Sequence, residues 1–446
     1  MALRLVTIIV LLAWAGAALA ADSAGEGSLP YDQFAEASAC AECHVGLAAQ
    51  HANSMMAQSF THEWDEKEYF ELALPHALKV AKVAGVKAGC NGCHAPMAFL
   101  AGDIPPQRPA AGTRANEGVG CDVCHSITGF TGDLPFNFNF VMQTGDVEQG
   151  PRPGLESDFH DIAVNPFLQS AEFCGICHNE QDPFDMWVKA THIEWRDSPY
   201  GAAGITCQEC HMPRADGPLT DGGEVFTAAR QHTFHGVHSP EKLLGAVEVL
   251  LTPRTATAKA GDSLTIDALV LNAKAGHMIP SGSVEERVVW LHVEAEDSQG
   301  ARWHLPVAVK GFEGEHWTIA DPEALAYQDI ADIQGLKNFK GLKRDGDVPA
   351  GDRIYRMPYL DPQGRMTVAQ WNTASFGPDY RLPPLTAVPE SFTWTLPAEV
   401  APGPVTITAT VYMTMVVSSV ADFMALPPSE KEPFAMNTAV AKLMVD

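Results

Sequence analysis

The sequence is poor in basic residues, and it lacks both a long apolar run after its first twenty residues and any cysteine after Cys210. With 29 Lys and Arg against 55 Asp and Glu, its formal net charge is −26. This charge repels phosphate backbones and anionic lipid surfaces, which argues against nucleic-acid or peripheral-membrane binding. The missing apolar run excludes a later membrane span. Apolar residues still make up 46% of the chain, which excludes a disordered protein.

The first twenty residues predict a secretory signal peptide. Arg4 precedes the apolar stretch 5–14, and Ala18-Leu19-Ala20 has the small residues of a cleavage site. We therefore expect a mature chain that begins near Ala21 and is exported to the periplasm or the cell exterior.

All ten cysteines occur in five CxxC pairs, and a histidine directly follows each pair. The motifs are Cys40-Ala-Glu-Cys43-His44, Cys90-Asn-Gly-Cys93-His94, Cys121-Asp-Val-Cys124-His125, Cys174-Gly-Ile-Cys177-His178 and Cys207-Gln-Glu-Cys210-His211. This spacing is typical of c-type haem, in which two thiols form thioethers to one porphyrin and the adjacent imidazole binds its iron. The sequence therefore predicts five covalently bound haem c groups, with the cysteines as attachment sites and the five histidines as iron ligands.

Two other interpretations compete with haem attachment. An exported chain with an even number of cysteines could form five disulfides, and paired CxxC knuckles could hold structural zinc. Neither explains why a histidine follows every pair.

The motif spacing and the later sequence predict two halves. Five haems fall between Cys40 and His211, so they must pack against one another, wrapped by short helices, turns and irregular loops. After Pro240 the apolar residues alternate, as in residues 264–270, 289–295, 391–396 and 405–417, which indicates an all-β sandwich-like domain. We expect a mainly α and irregular haem domain at 21–240, a short helical connector at 241–244 and a β-domain at 241–446.

The sequence also resembles multihaem c-type cytochromes that carry an immunoglobulin-like C-terminal domain. The matching segments are CHVGLAAQHANSMMA from Cys43, EGVGCDVCH from Glu117, FCGICHN from Phe173, EWRDSPYGAAGITCQECHMP from Glu194, HTFHGVH from His232, GHMIPSGSVEERVVWLHV from Gly276 and DYRLPP from Asp379. The resemblance covers most of the mature chain. It implies a protein that moves electrons, as most family members do. The electrons pass between the oxidation of membrane quinol, periplasmic partner proteins and terminal or extracellular acceptors.

The resemblance also indicates distal haem ligands. His160 and His232 match family histidines, and Met56 stands where many relatives have histidine. Met56 is either an axial ligand or a packing residue. His277 lies on a loop between two predicted strands and would cap a haem from the β-domain if that loop folds back.

The other histidines and two arginines leave their roles open. His235 and His238 are weaker ligand candidates, and no pattern separates His51, His62, His76 and His192. We expect His292 and His304 on strand surfaces and His316 in a loop. Arg287 and Arg381 match family arginines, which contact haem propionates, brace the two halves or bind surface carboxylates.

The predicted function is electron transfer along five haems between redox partners. The acidic surface would favour a basic partner and salt-dependent association. One alternative is a reductase or oxidase of a small nitrogen or sulfur compound, which needs one haem with an open distal side. Another is a homo-oligomeric filament that joins haem chains end to end.

Overall fold

The computed structural model describes residues 23–307, 329–338 and 348–446. The predicted signal peptide, residues 1–20, and His316 lie outside the described residues. Within these ranges, no helix is both long enough and apolar enough to cross a bilayer.

The N-terminal half consists of short helices and small two-stranded sheets. Its helices are α1 (Ala37–Ala41), α2 (Val45–Ala52), α3 (Glu63–Lys67), α4 (Leu74–Lys79), α5 (Val86–His94), α6 (Pro96–Ala101), α7 (Cys121–Ser126), α8 (Ala171–His178), α9 (Thr191–Arg196), α10 (Pro199–Ala202) and α11 (Cys207–His211). Its strands are β1 (Ile127–Phe130), β2 (Phe140–Met142), β3 (Val147–Gly150), β4 (Asp161–Val164), β5 (Asn179–Gln181), β6 (Trp187–Ala190), β7 (Arg214–Pro218) and β8 (Val225–Arg230). A π-helical turn, Glu68–Ala73, joins α3 to α4.

Local sequence signals start these short helices. The Ser170 hydroxyl accepts the backbone N–H of Phe173 at the start of α8, and Ser198 caps α10 in the same way ahead of a proline. The largest apolar cluster formed within this half is small. Its fully buried members are Phe34, Met97, Phe99, Leu100, Val123, Ile127, Phe140 and Ile176. A small core is what we expect of a domain in which cofactors fill much of the interior.

The C-terminal half is rich in β-structure, as predicted. A helix, α12 (Pro240–Leu243), occurs where we expected the connector. The later strands and helices are β9 (Val247–Pro253), β10 (Thr257–Ala258), β11 (Ser263–Asn272), β12 (Val288–Glu296), β13 (Arg302–His304), α13 (Asp329–Gln334), β14 (Arg353–Tyr355), β15 (Tyr359–Leu360), β16 (Ser375–Phe376), β17 (Ala387–Thr395), β18 (Gly403–Thr414), α14 (Ser418–Phe423) and β19 (Phe434–Val445).

Two sheets form most of this half. One has the order β10-β19-β18-β12-β13, with β14 also paired to β12, and the other has the order β17-β11-β9. All pairs in them are antiparallel except β10 with β19. The predicted rows 264–270 and 289–295 alternate inward from the two sheets and meet in one hydrophobic cluster. The immunoglobulin-like sandwich stays a prediction beyond this β-rich arrangement.

A second apolar cluster joins the two halves. Trp64, Leu72 and Val83 from the N-terminal half pack in one buried cluster with Trp290 of β12 and Val420 of α14. Both faces of β12 are therefore covered, one by its own domain and one by the shared cluster. This contact holds the β-rich half against the helices that precede the second CxxCH motif.

Candidate haem-binding centre

Each CxxCH motif lies on or directly beside a short helix. The pattern Cys-x-x-Cys-His thus brings two sulfurs and one imidazole together over about one helical turn. All ten cysteines are free, which gives the five-disulfide alternative no support. Among the described residues, no group of side chains close enough to hold a metal ion includes a cysteine, which argues against zinc knuckles.

Contacts between thiols join different motifs. The neighbouring pairs are Cys40 with Cys121, Cys93 with Cys177, and Cys174 with Cys207. The first motif therefore lies beside the third, and the fourth lies beside both the second and the fifth. Cys124 of the third motif is also close enough to act electrostatically on Cys174 of the fourth. The five attachment points thus form one connected group.

Three motif histidines face a second histidine from a distant part of the chain. The ring centres are 6.4 Å apart for His44 and His160, 6.3 Å for His125 and His232, and 6.5 Å for His211 and His277. The second member of each pair is a residue that the sequence analysis named as a distal ligand. The structure therefore brings three of the four predicted distal residues opposite a proximal histidine.

These separations fit a metal ion held between two imidazoles. Two nitrogens that bind one metal from opposite sides at roughly 2.0–2.1 Å, each about 1.1 Å from its ring centre, separate the ring centres by about 6.3 Å. The observed separations lie within 0.2 Å of one another and close to this value. The residues present thus fit six-coordinate haem iron at the first, third and fifth motifs.

Hydrogen bonds orient the rings for that role. The Nδ1 of each ring is hydrogen-bonded to a backbone carbonyl, and Nε2 is therefore left free to bind a metal. The pairs are His44 with Leu219 (2.7 Å), His125 with Gln149 (2.7 Å), His211 with His235 (2.7 Å), His160 with Asp161 (3.1 Å), His232 with Arg230 (3.2 Å) and His277 with Met278 (2.8 Å). Burial also lowers the pKa of His211 and of His232 to about 4, which favours the neutral, ligating form.

A buried ion pair holds the His277 loop on the haem half. Glu194 of α9 accepts the Ser281 hydroxyl (2.6 Å) and the Met278 backbone N–H (3.2 Å) with one oxygen. Its other oxygen pairs with the buried Arg381 guanidinium at 2.5 Å. Arg381 therefore braces the two halves, which was one of its three predicted roles. The loop reaches His211 because these contacts fix it there.

His94 of the second motif has a different environment. Its Nδ1 faces the Ser59 carbonyl (2.9 Å) and the Asp65 carboxylate (3.3 Å). Burial lowers the pKa of His94, but Asp65 outweighs that effect and raises it to about 9. A carboxylate on the outer nitrogen increases the basicity of a metal-bound imidazole. The sequence analysis missed Asp65 because no short-range pattern links it to the motif.

Both cysteines and the histidine of this motif line a cavity of about 420 Å³, so this cavity is the place that fits the haem of the second motif. Asp65 and the partly buried Lys189 also line it. Its lining, all of which lies in the described part of the chain, includes no second histidine and no methionine. Lys189 is itself paired with Glu180 at 2.7 Å.

The fourth motif also differs from the three paired ones. Across residues 23–307, 329–338 and 348–446, no histidine ring faces His178 in the way that the paired rings face each other. Burial and the nearby His211 lower the pKa of His178 to about 4. His192 packs against α8 beside Gly175, and its buried Nε2 has no hydrogen-bond partner among the described residues. His192 is therefore a ligand candidate that the sequence did not distinguish.

The remaining sequence candidates occupy other places. The Met56 carbonyl accepts the backbone N–H of Val119 at 3.0 Å, close to the third motif, and ligation by its sulfur stays a prediction. His235 and His238 pair with Glu241 (2.7 Å) and Glu430 (3.6 Å). On the β-rich half, the rings of His292 and His304 both contact the Asp352 carboxylate. Arg287 donates to the Ser281 carbonyl.

Comparisons with known proteins agree with this picture. A family model described as cytochrome c554 and c-prime matches residues 39–126. Cytochrome c-552 of Haemophilus influenzae is 21% identical over 323 residues, which are 71% of this chain, and the chain spans about half (48%) of that relative's length. A penta-heme cytochrome c552 from Thermochromatium tepidum is similar in fold, with a TM-score of 0.63 and 19% identity over 93% of this chain and 100% of that one.

These findings confirm the predicted resemblance to multihaem c-type cytochromes. They also confirm covalently bound haem c as the cofactor, predicted from the five motifs. They also support a haem-based electron-transfer role at this general level.

Proposed function

We propose that this multihaem c-type cytochrome moves electrons along five haems between redox partners in the periplasm or at the cell exterior. Its proximal ligands are the five motif histidines, and His160, His232 and His277 are distal ligands. The haem-binding domain spans residues 21–240 and the β-domain, immunoglobulin-like by resemblance, spans 241–446. The signal peptide at 1–20 would direct export.

The observation that carries this proposal is the set of three histidine pairs at 6.3–6.5 Å. Haem c, when bound, supplies a one-electron Fe(II)/Fe(III) couple at each motif. Paired imidazoles leave no iron position for a substrate, which favours electron exchange over catalysis at these three motifs. Cysteines of different motifs are neighbours, so the attachment points lie close together, which favours transfer between them.

The charge of the chain supports docking on a basic redox partner. A formal net charge of −26 gives a long-range attraction to positively charged surfaces at low ionic strength. This attraction steers association and is screened by salt.

The test is the coordination of the haems in the purified holocytochrome. Mass spectrometry should give the mass of the mature chain plus five haems. Electron paramagnetic resonance should detect at least three low-spin haems per chain, and carbon monoxide should bind no more than two after reduction. Binding of carbon monoxide to three or more haems in the parent protein would contradict the proposed ligation.

The surroundings of the second motif favour one second function, reduction of a small nitrogen or sulfur compound at its haem. The cavity that fits this haem lacks a further histidine or methionine in its described lining, and it is lined by Lys189, which carries an ammonium group. That group could bind an anion or deliver a proton to one. Nitrite, hydroxylamine and sulfite are suitable probes, with reduced viologen as the electron donor. Turnover that is lost in Lys189→Met while the low-spin signals persist would support this function, and no turnover in the parent protein would refute it.

A further inference from the structure

Three buried carboxylates meet where the two halves of the molecule join. Glu68 begins the π-helical turn Glu68–Ala73, whereas Glu285 and Glu286 precede β12. Each residue offers a carboxylate oxygen, and these oxygens all lie within 4.8 Å of one another. The side chains come from opposite halves of the chain, and none of the three residues is more than 9% exposed. Such a cluster is unfavourable unless something neutralises it.

Hydrogen bonds do not satisfy all the carboxylate oxygens of the cluster. Oε1 of Glu68 and Oε1 of Glu286 are buried and have no hydrogen-bond partner among the described residues. The Trp64 side chain donates a hydrogen bond to the Glu286 carboxylate, but Oε1 of that carboxylate still has no partner among the described residues. Buried polar atoms are paired in most proteins, so these oxygens indicate a missing partner.

The nearby cations do not fill this role. The Lys189 ammonium group is bonded to the Glu180 carboxylate at 2.7 Å and to the Gln370 side chain. The Arg287 guanidinium donates to the Ser281 carbonyl. Both lower the repulsion within the cluster, but one or two positive charges face three carboxylates. Burial and then the charge of Glu285 raise the pKa of Glu68 to about 8.

We propose that Glu68, Glu285 and Glu286 bind one hard divalent cation, with Ca²⁺ as the best fit. Carboxylate oxygens are the ligands of hard cations, and a set without sulfur or imidazole does not suit zinc or copper. Carboxylates bind Ca²⁺ through one or both oxygens, and the flexible coordination of Ca²⁺ tolerates such a mixture. Mg²⁺ usually keeps several of its waters, for which a site this deeply buried is a poor host. The cation would tie the π-helical turn of the haem half to the strand entry of the β-rich half.

The site is testable on the purified holocytochrome. The protein is treated with EGTA, and CaCl₂ is then titrated by calorimetry while the thermal unfolding midpoint and the haem absorption spectrum are recorded. We expect uptake of one Ca²⁺ per chain, an unfolding midpoint at least about 2 °C higher with excess Ca²⁺ than with EGTA, and an unchanged haem spectrum. The spectrum tests the haem assignment separately, so either proposal could fail without the other.

Two variants and a matched control sharpen the test. Glu68→Gln and Glu286→Gln should each weaken Ca²⁺ binding at least about tenfold. In EGTA they should be as stable as the parent or more so, because each replaces a buried carboxylate that is unfavourable to ionise with a neutral amide of the same shape. Glu63→Gln changes an exposed carboxylate of α3 and should bind Ca²⁺ like the parent. The proposal is overturned if the EGTA-treated parent takes up no Ca²⁺, if Zn²⁺ binds there in preference, or if both cluster variants bind Ca²⁺ with unchanged affinity.

Discussion

Replacement of His277 by alanine should open one haem and leave the others unchanged. The His277 ring lies 6.5 Å from that of His211, with its Nδ1 bonded to the Met278 carbonyl, and alanine removes the imidazole that faces the fifth motif. One of five haems, or one fifth of the total, should therefore change from low spin to high spin. The Arg381–Glu194 ion pair keeps the loop in place in the variant.

Carbon monoxide binding to the reduced protein measures this change directly. The variant should bind one more equivalent per chain than the parent does, whatever the parent binds at the second or fourth motif. Electron paramagnetic resonance of the oxidised protein should lose one low-spin haem and gain one high-spin haem.

His235→Ala is the matched control for this experiment. The His235 side chain pairs with Glu241, and only its backbone carbonyl contacts the His211 ring. The control should therefore bind carbon monoxide like the parent. If His277→Ala adds no binding equivalent and the low-spin signal is unchanged, His277 does not ligate iron and the distance argument for all three pairs is refuted.

Three further predictions concern potential, pH and salt. Met56→His should lower the midpoint potential of one haem if the Met56 sulfur is an axial ligand, and redox titration with no shifted midpoint would contradict that role. Burial lowers the pKa of His62, but Asp65 and Glu430 outweigh this and raise it to about 9. Because the folded value exceeds the unfolded value of roughly 6.5, these ion pairs stabilise the protein fully below that pH and are lost as the pH rises toward 9. Denaturant unfolding should detect a loss of about 1–2 kcal/mol in the free energy of unfolding over this pH range. If His62→Gln lost the same amount, the His62 ion pairs would not be the cause. Stopped-flow electron transfer to a basic cytochrome should slow several-fold between low and physiological ionic strength, whereas an acidic partner should show no such decrease.

The structure also separates residues that the sequence treated alike. His62 and His192 had no distinguishing pattern, yet one belongs to an ion-pair network and the other has a buried nitrogen beside the fourth motif. Asp65 had attracted no attention, because its role depends on where the His94 ring points. The boundary near residue 240 coincides with α12, but Trp64 and Val420 share one core across it. The alternation of apolar residues along the chain predicts the β-rich half. It does not predict which residues of the other half pack on the outer face of its strands.

The sequence by itself determined the cofactor and predicted its attachment points. A thioether pair and a proximal imidazole need residues within one helical turn, so five residues of sequence suffice to specify each site. It also determined the inward rows of β11 and β12, because side chains alternate along any strand with one buried face. Only the tertiary structure decided which histidine faces which motif. A distal ligand must approach from the opposite side of the iron. The segment that carries His277, the ligand proposed for the fifth motif, is held there by contacts such as Arg381 with Glu194, which link residues far apart in sequence.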